Sequence, residues 1–365
     1  MPILKRIIPL VILAGLSLIL GLWAGALRLG WNLPFLGEMM PLGHGPFMVV
    51  GFLGTLIGLE RAVAINRVWP FGVPIASGMA ALALMVGLPV LVSVSLTTVA
   101  SVLMVLVFIS LYRQSPGAHF VIMAISAAAW LIGNVLWSRR GSLYSVAPWW
   151  VGFLVLMIAA ERLQLTRVMQ RSRRTLALFH LSAGVLLLGL VYSLLSFHMG
   201  LRLAGIGLSA LALWLLRNDI SWRSIRQSGL PRFMAVCLIS GYVWLGISGL
   251  LWLFLAHDFH SGPRYDAMLH TVFLGFVFSM IFAHAPIIFP SITGMALPFR
   301  CAFYGHLLLL HLALSLRIVG DLMLWINAYR WGGTLNILAV VLFLGNNIYA
   351  ARLGSHAGGK AVRGS

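Results

Sequence analysis

The sequence predicts an all-α, polytopic integral membrane protein with about twelve transmembrane helices, and three observations carry that reading. Of 365 residues, 61% are hydrophobic and only 9% are charged, 25 basic and 7 acidic, whereas soluble domains are about a quarter charged. The uncharged residues fall into long runs, and about 20 apolar residues are enough to cross a bilayer core as helix. The basic residues, finally, crowd the connections on alternate sides of those runs.

Taken in order, the charge-free runs are 7–27, 39–59, 68–112, 114–138, 141–160, 175–201, 203–216, 233–257, 267–299, 301–316 and 331–351. The third is long enough for two helices and is broken at Gly87-Leu88-Pro89, a turn signal. Twelve spans result, of which the eighth, at 203–216, must borrow flanking residues. Lys5 and Arg6 precede a full-length span, with no small-residue cleavage site before Leu29, so the first run reads as a helix and not as a signal peptide.

Cytoplasmic loops retain Lys and Arg. With both termini cytoplasmic, only seven of the 25 basic residues fall outside: Arg28, Arg139, Arg140, Arg202, Arg264, Arg317 and Arg330. The formal charge of +18 is therefore chiefly a topology signal, with some attraction to anionic headgroups. Nucleic-acid binding is excluded because the charges sit in short loops between spans. The composition also excludes disorder, and two cysteines in apolar runs, Cys237 and Cys301, exclude a disulfide scaffold. The organisation expected is one transmembrane domain over 1–351 and a disordered cytoplasmic tail over 352–365. Glu60-Arg61 and Glu161-Arg162, at the ends of the second and sixth spans, read as local ion pairs.

No phosphate loop, Cys-x-x-Cys, His-Glu-x-x-His or Gly-x-Ser-x-Gly motif is present. Histidine remains, and an ionisable ring inside a span is a functional candidate by default. His44 opens the second span and His270 the tenth, both running outside to inside, so the two imidazoles are expected at matching depth. Axial ligation of one haem between helices requires such a pair. His44 is flanked by Gly43 and Gly45, and Phe- and Gly-rich 271–276 follows His270. His284 lies 14 residues beyond His270, about 21 Å along a helix and about 40° around it. With His306 of the eleventh span it forms a second candidate site; His311 lies about 140° round from His306. His198, His257 and His260, at the outer side, are a candidate copper trio.

Gly241–Gly246 (Gly-Tyr-Val-Trp-Leu-Gly) and Tyr265–Phe276 (Tyr-Asp-Ala-Met-Leu-His-Thr-Val-Phe-Leu-Gly-Phe) resemble the corresponding stretches of the NnrS family, and 44–51 is similar in placement. More remotely, twelve spans with outer histidines on the second and tenth resemble the catalytic subunit of haem-copper oxidases. The resemblance implies haem, of b type, held by His44 and His270, with copper as a further candidate. It also implies a role in the nitric oxide response or in membrane electron transfer in a bacterial cytoplasmic (inner) membrane, with quinol or respiratory-chain proteins as partners and an oxidoreductase as the class of any enzyme. The sixth span, 148–161, has no histidine, so the oxidase copper motif is not carried over. The reading from a different class is a multi-pass transporter or channel whose interior histidines line a path.

Overall fold

The computed structural model describes residues 2–36 and 42–363, without side chains for 2–6, 167–168 and 354–363. Thirteen helices and no strand occur among the described residues: α1 Pro2–Arg28, α2 His44–Ile65, α3 Gly72–Met85, α4 Val90–Gln114, α5 Ala118–Arg140, α6 Leu143–Leu165, α7 Arg173–Tyr192, α8 Phe197–Asn218, α9 Ser221–Ser224, α10 Leu230–Leu255, α11 Pro263–Thr293, α12 Phe303–Leu322 and α13 Ile326–Arg363. Eleven of them are long and apolar enough to cross a membrane. The all-α, multi-pass membrane architecture follows. Its outer surface agrees with lipid as solvent: Leu181, Leu188 and Leu308 are each more than 60% exposed and Phe254 is 72% exposed, while the helices satisfy their own backbone polar groups.

The remaining apolar helix is α3, which with a preceding 3-10 turn spans only Trp69–Met85. The eighth predicted span does borrow its flanks and becomes the 22-residue α8. The 68–112 run divides where expected, at Gly87, whose φ of +73° is left-handed and favours glycine. Asn66, Gly141 and Gly294 likewise end α2, α5 and α11 in left-handed conformations. α11 runs through Pro286 and Pro290 without ending at either. α13 continues to Arg363, through the segment expected to be a disordered tail. That segment holds no proline, and each added helical residue gains one hydrogen bond.

The chain divides into two compact units, Met1–Glu161 and Arg162–Ser365. In the first, α3, α4 and α5 pack as consecutive antiparallel neighbours and α1 lies along α2. Trp130 of α5 stacks on Phe153 of α6 with ring centroids 4.9 Å apart. In the second, α7 packs on α8, α8 on α10, α10 on α11, and α12 on α13.

The α7–α8 contact is backbone to backbone. A Cβ on Gly189 would lie 2.2 Å from the Ala204 nitrogen, and one on Gly200 would lie 2.2 Å from the Ser193 nitrogen. Small residues at such crossings let membrane helices gain dispersion contact. Gly200→Val is expected to cost about 1–3 kcal/mol as overpacking, read as a lowered melting midpoint in detergent. Gly184→Ala, with nothing within 4 Å, is expected to leave that midpoint unchanged.

Candidate functional site

His44, in the first unit, is held by α1. Its Nδ1 lies 2.8 Å from the Gly21 carbonyl oxygen. A carbonyl only accepts, so Nδ1 carries the proton and the neutral ring has its lone pair on Nε2. Gly21 and Gly25 stand one turn apart on α1. A Cβ on Gly25 would meet the imidazole at 3.1 Å, and one on Gly21 would meet the Met48 sulfur at 2.5 Å. This groove seats His44 and Met48 against α1. Gly45 faces the Trp150 indole, 3.8 Å from where its Cβ would be, so an aromatic wall stands there. Trp150 donates to Asn134 Oδ1 at 3.0 Å, and the Asn134 amide donates to Ser101 Oγ at 3.2 Å.

His270, in the second unit, is held by its own helix and by α12. Nδ1 lies 3.0 Å from the Asp266 carbonyl oxygen and 3.2 Å from Asp266 Oδ1. The same logic places its lone pair on Nε2. Asp266 is itself gripped by Arg317, which donates Nε to Oδ2 at 2.7 Å and Nη2 to Oδ1 at 2.9 Å. The three side chains are only 9–13% exposed. The guanidinium also lies 5.5 Å from the Tyr329 ring centroid. Asp266 thus lies in the first turn of α11, and Arg317, counted in the sequence among the basic residues outside, is its buried partner. Asp321, one turn beyond Arg317, is fully buried with no hydrogen-bond partner on either oxygen.

Each histidine also opens an unusual backbone. Phe47–Gly54 in α2 and Thr271–Phe278 in α11 are π-helical, eight residues each, beginning three residues after His44 and directly after His270. π-Helix is well under 1% of residues and concentrates at functional sites. The fifth residue of each stretch is a glycine followed by phenylalanine. Gly51 sits where a Cβ would meet Ala81 at 2.6 Å and Ser17 at 2.7 Å; one on Gly275 would meet Trp244 at 2.5 Å. The wider π turn also corrects the expected alignment of His270 and His284, because 100° per residue does not hold across 271–278.

The other histidines are anchored separately. His284 Nδ1 donates to the Met280 carbonyl at 2.7 Å. His306 accepts from the Asn346 amide at 3.0 Å inside a cage of Phe233, Phe282, Phe303 and Phe343. His311 accepts the Trp244 indole N–H at 3.0 Å. Rings of His198 and His257 lie 4.7 Å apart, and His260 Nδ1 donates to the His257 carbonyl at 3.2 Å. Among the described residues no three His, Cys, Asp or Glu side chains gather as a set that could hold a metal ion. Within the candidate copper trio, the His198 and His257 rings are tilted by 31° and His260 is tied to them through the His257 carbonyl.

The profile of the DUF8744 family, described as a domain of unknown function, matches residues 6–352. The chain belongs to the DUF8744 family. No curated protein and no solved structure matches it.

Several features of this DUF8744 chain escape the sequence reading. Gly21-x-x-x-Gly25 was a usable signal, since small residues four apart in an apolar helix mark a packing face. The Asp266–Arg317 pairing had none, because the partners are 51 positions apart. The two Glu-Arg dipeptides are not a pair of equivalent local ion pairs. Arg61 pairs with Glu60 at 3.6 Å and also with Glu161, whereas Arg162 binds Asp219 through two hydrogen bonds of 2.8 Å.

Proposed function

We propose that the protein is a membrane haem protein in which His44 and His270 supply iron ligands through Nε2. One observation carries the reading: of the two π-helical stretches described in the chain, one starts three residues after His44 and the other directly after His270, the two histidines that the sequence singles out for this role. The donor set suits the group. Metal-ligating histidines characteristically give their other N–H to a carbonyl or carboxylate, which fixes the tautomer and raises ligand basicity. His44 does so to Gly21 and His270 to Asp266. The absence of Cys-x-x-Cys-His favours haem held without covalent attachment, hence b type.

Haem held by these two rings would supply a one-electron couple. On this reading the protein handles nitric oxide or relays electrons, from quinol or respiratory-chain proteins, in a bacterial cytoplasmic membrane. The chain's own part is to orient the two rings, to exclude water with apolar helices, and to tune the His270 ring. Arg317 holds the Asp266 carboxylate through two hydrogen bonds and so fixes it beside the His270 ring.

Titrating purified protein with hemin is expected to give a saturable Soret band at a stoichiometric end point. Asp266→Asn is expected to retain haem while its reduction midpoint rises, because a neutral amide donates less electron density to the ring than a carboxylate does. Absence of any saturable Soret band would overturn the proposal.

A carrier or channel is the second reading, and unpaired buried polar atoms in the α12–α13 pair favour it. His306 Nε2, His311 Nε2, Asn336 Oδ1 and both Asp321 oxygens have no hydrogen-bond partner. It requires solute flux in liposomes by haem-free protein, abolished by His306→Ala.

A further inference from the structure

We propose that one end of the second unit is a docking surface for the phosphate groups of anionic phospholipids. Three hydrogen bonds bring its parts together. Trp214 of α8 donates to the Thr175 carbonyl of α7 at 2.7 Å, Arg171 donates to the Asn218 carbonyl, and Trp222 of α9 donates to the Leu216 carbonyl. The start of α7, the end of α8 and the whole of α9 therefore share one end of the helix group, and α9 packs on α10. Arg173, Arg174, Arg217, Arg223, Arg226 and Arg232 belong to this end, and all six are exposed.

Nothing within the unit balances these charges there. Between residues 162 and 257 the sequence holds a single carboxylate, Asp219. It is fully buried and taken up by Arg162 and by the Ser221 backbone N–H at 2.8 Å. The counter-charge must come from outside the chain. The basic residues of this end are all arginine, as are all but Lys5 and Lys360 in the chain, so the surface presents guanidinium groups. The planar guanidinium fork matches phosphate oxygens two at a time, which an ammonium does not.

Lipid, and not an acidic protein, is favoured by the level at which the charges sit. Trp222, 47% exposed, lies between Arg217 and Arg223 at the end of apolar α8. An indole with one polar edge is characteristic of the headgroup boundary. Leu178 and Leu213, 57% and 50% exposed, continue the surface along α7 and α8 as apolar wall. Each basic residue near an anionic leaflet contributes about 1 kcal/mol, within a Debye length.

The full chain in nanodiscs provides the test. Its melting midpoint is expected to rise when phosphatidylglycerol replaces phosphatidylcholine, and native mass spectrometry is expected to show retained phosphatidylglycerol. Arg173→Gln, Arg174→Gln, Arg217→Gln and Arg223→Gln combined are expected to remove more than half of that rise, and the matching four lysine substitutions part of it. Arg139→Gln with Arg140→Gln, at the end of α5, is expected to leave it intact. Glycerophosphate added to phosphatidylcholine discs is expected to have no effect. Equal melting in the two lipids, a full rise in the four-fold Gln variant, or a full rise with glycerophosphate alone would each overturn the proposal; the first would point to an acidic protein as the occupant.

Discussion

Asp219→Ala is expected to lower the unfolding free energy by about 3–5 kcal/mol, the cost of leaving one partner of a buried ion pair uncompensated. Arg162 is 4% and Asp219 0% exposed at the side chain, and the guanidinium donates Nε and Nη2 to the two carboxylate oxygens at 2.8 Å each. Asp219 also accepts the Ser221 N–H, so its loss leaves that backbone donor unpaired as well. Arg162→Met in the same background is expected to recover most of the loss, because the desolvation of the pair then disappears together with its attraction. A double-mutant cycle in detergent, read by denaturant or thermal unfolding, isolates the coupling. The Arg264–Asp258 pair, 49% and 36% exposed with a 3.0 Å contact, is the contrast. Breaking it is expected to cost no more than about 1 kcal/mol. Equal losses at the two pairs would show that burial does not govern the ion-pair energetics of this fold.

The helices are legible in the sequence because the bilayer imposes a one-dimensional rule: a charge-free run of sufficient length has to be a helix. That rule places α1, α4, α5, α6 and α10 nearly to their ends, whereas the 175–201 run overshoots the end of α7 at Tyr192. The rule is weaker at α3, where the charge-free run continues past Gly87 and hides a short helix, and past Ala351, where Arg352 and the glycines suggested an end that helix propagation ignores. Of the candidate site, His44 and His270 are visible as rings inside apolar runs. Their holders are less so. Gly21 is a backbone acceptor 23 positions from His44, and Arg317 looks like any loop arginine until tertiary structure buries it against Asp266. The π-helical stretches leave no mark either, since Phe47–Gly54 and Thr271–Phe278 have the composition of ordinary apolar helix. Hydrogen-bond register, not residue type, distinguishes them.

The second large effect concerns the histidines themselves. If Nε2 of each is an iron ligand, removing either ring removes a strong-field donor, and the change in spectrum far exceeds anything a packing defect produces. His44→Ala empties the groove beside Gly25 but leaves the Gly21 carbonyl within α1, so the first unit is expected to keep its helices. His270→Ala leaves the Asp266–Arg317 pair intact, so the second unit is expected to keep its own. His180→Ala, an exposed ring on α7 whose Nδ1 bonds the Leu176 carbonyl at 2.7 Å, serves as the control. The most direct measurement is the visible spectrum, air-oxidised and dithionite-reduced, of these proteins expressed with ample haem. The expected result is a Soret band and sharp reduced bands in the wild type and in His180→Ala, with loss or conversion to a high-spin spectrum in His44→Ala and in His270→Ala. A wild type without a Soret band, or two histidine variants with the wild-type spectrum, would contradict the assignment.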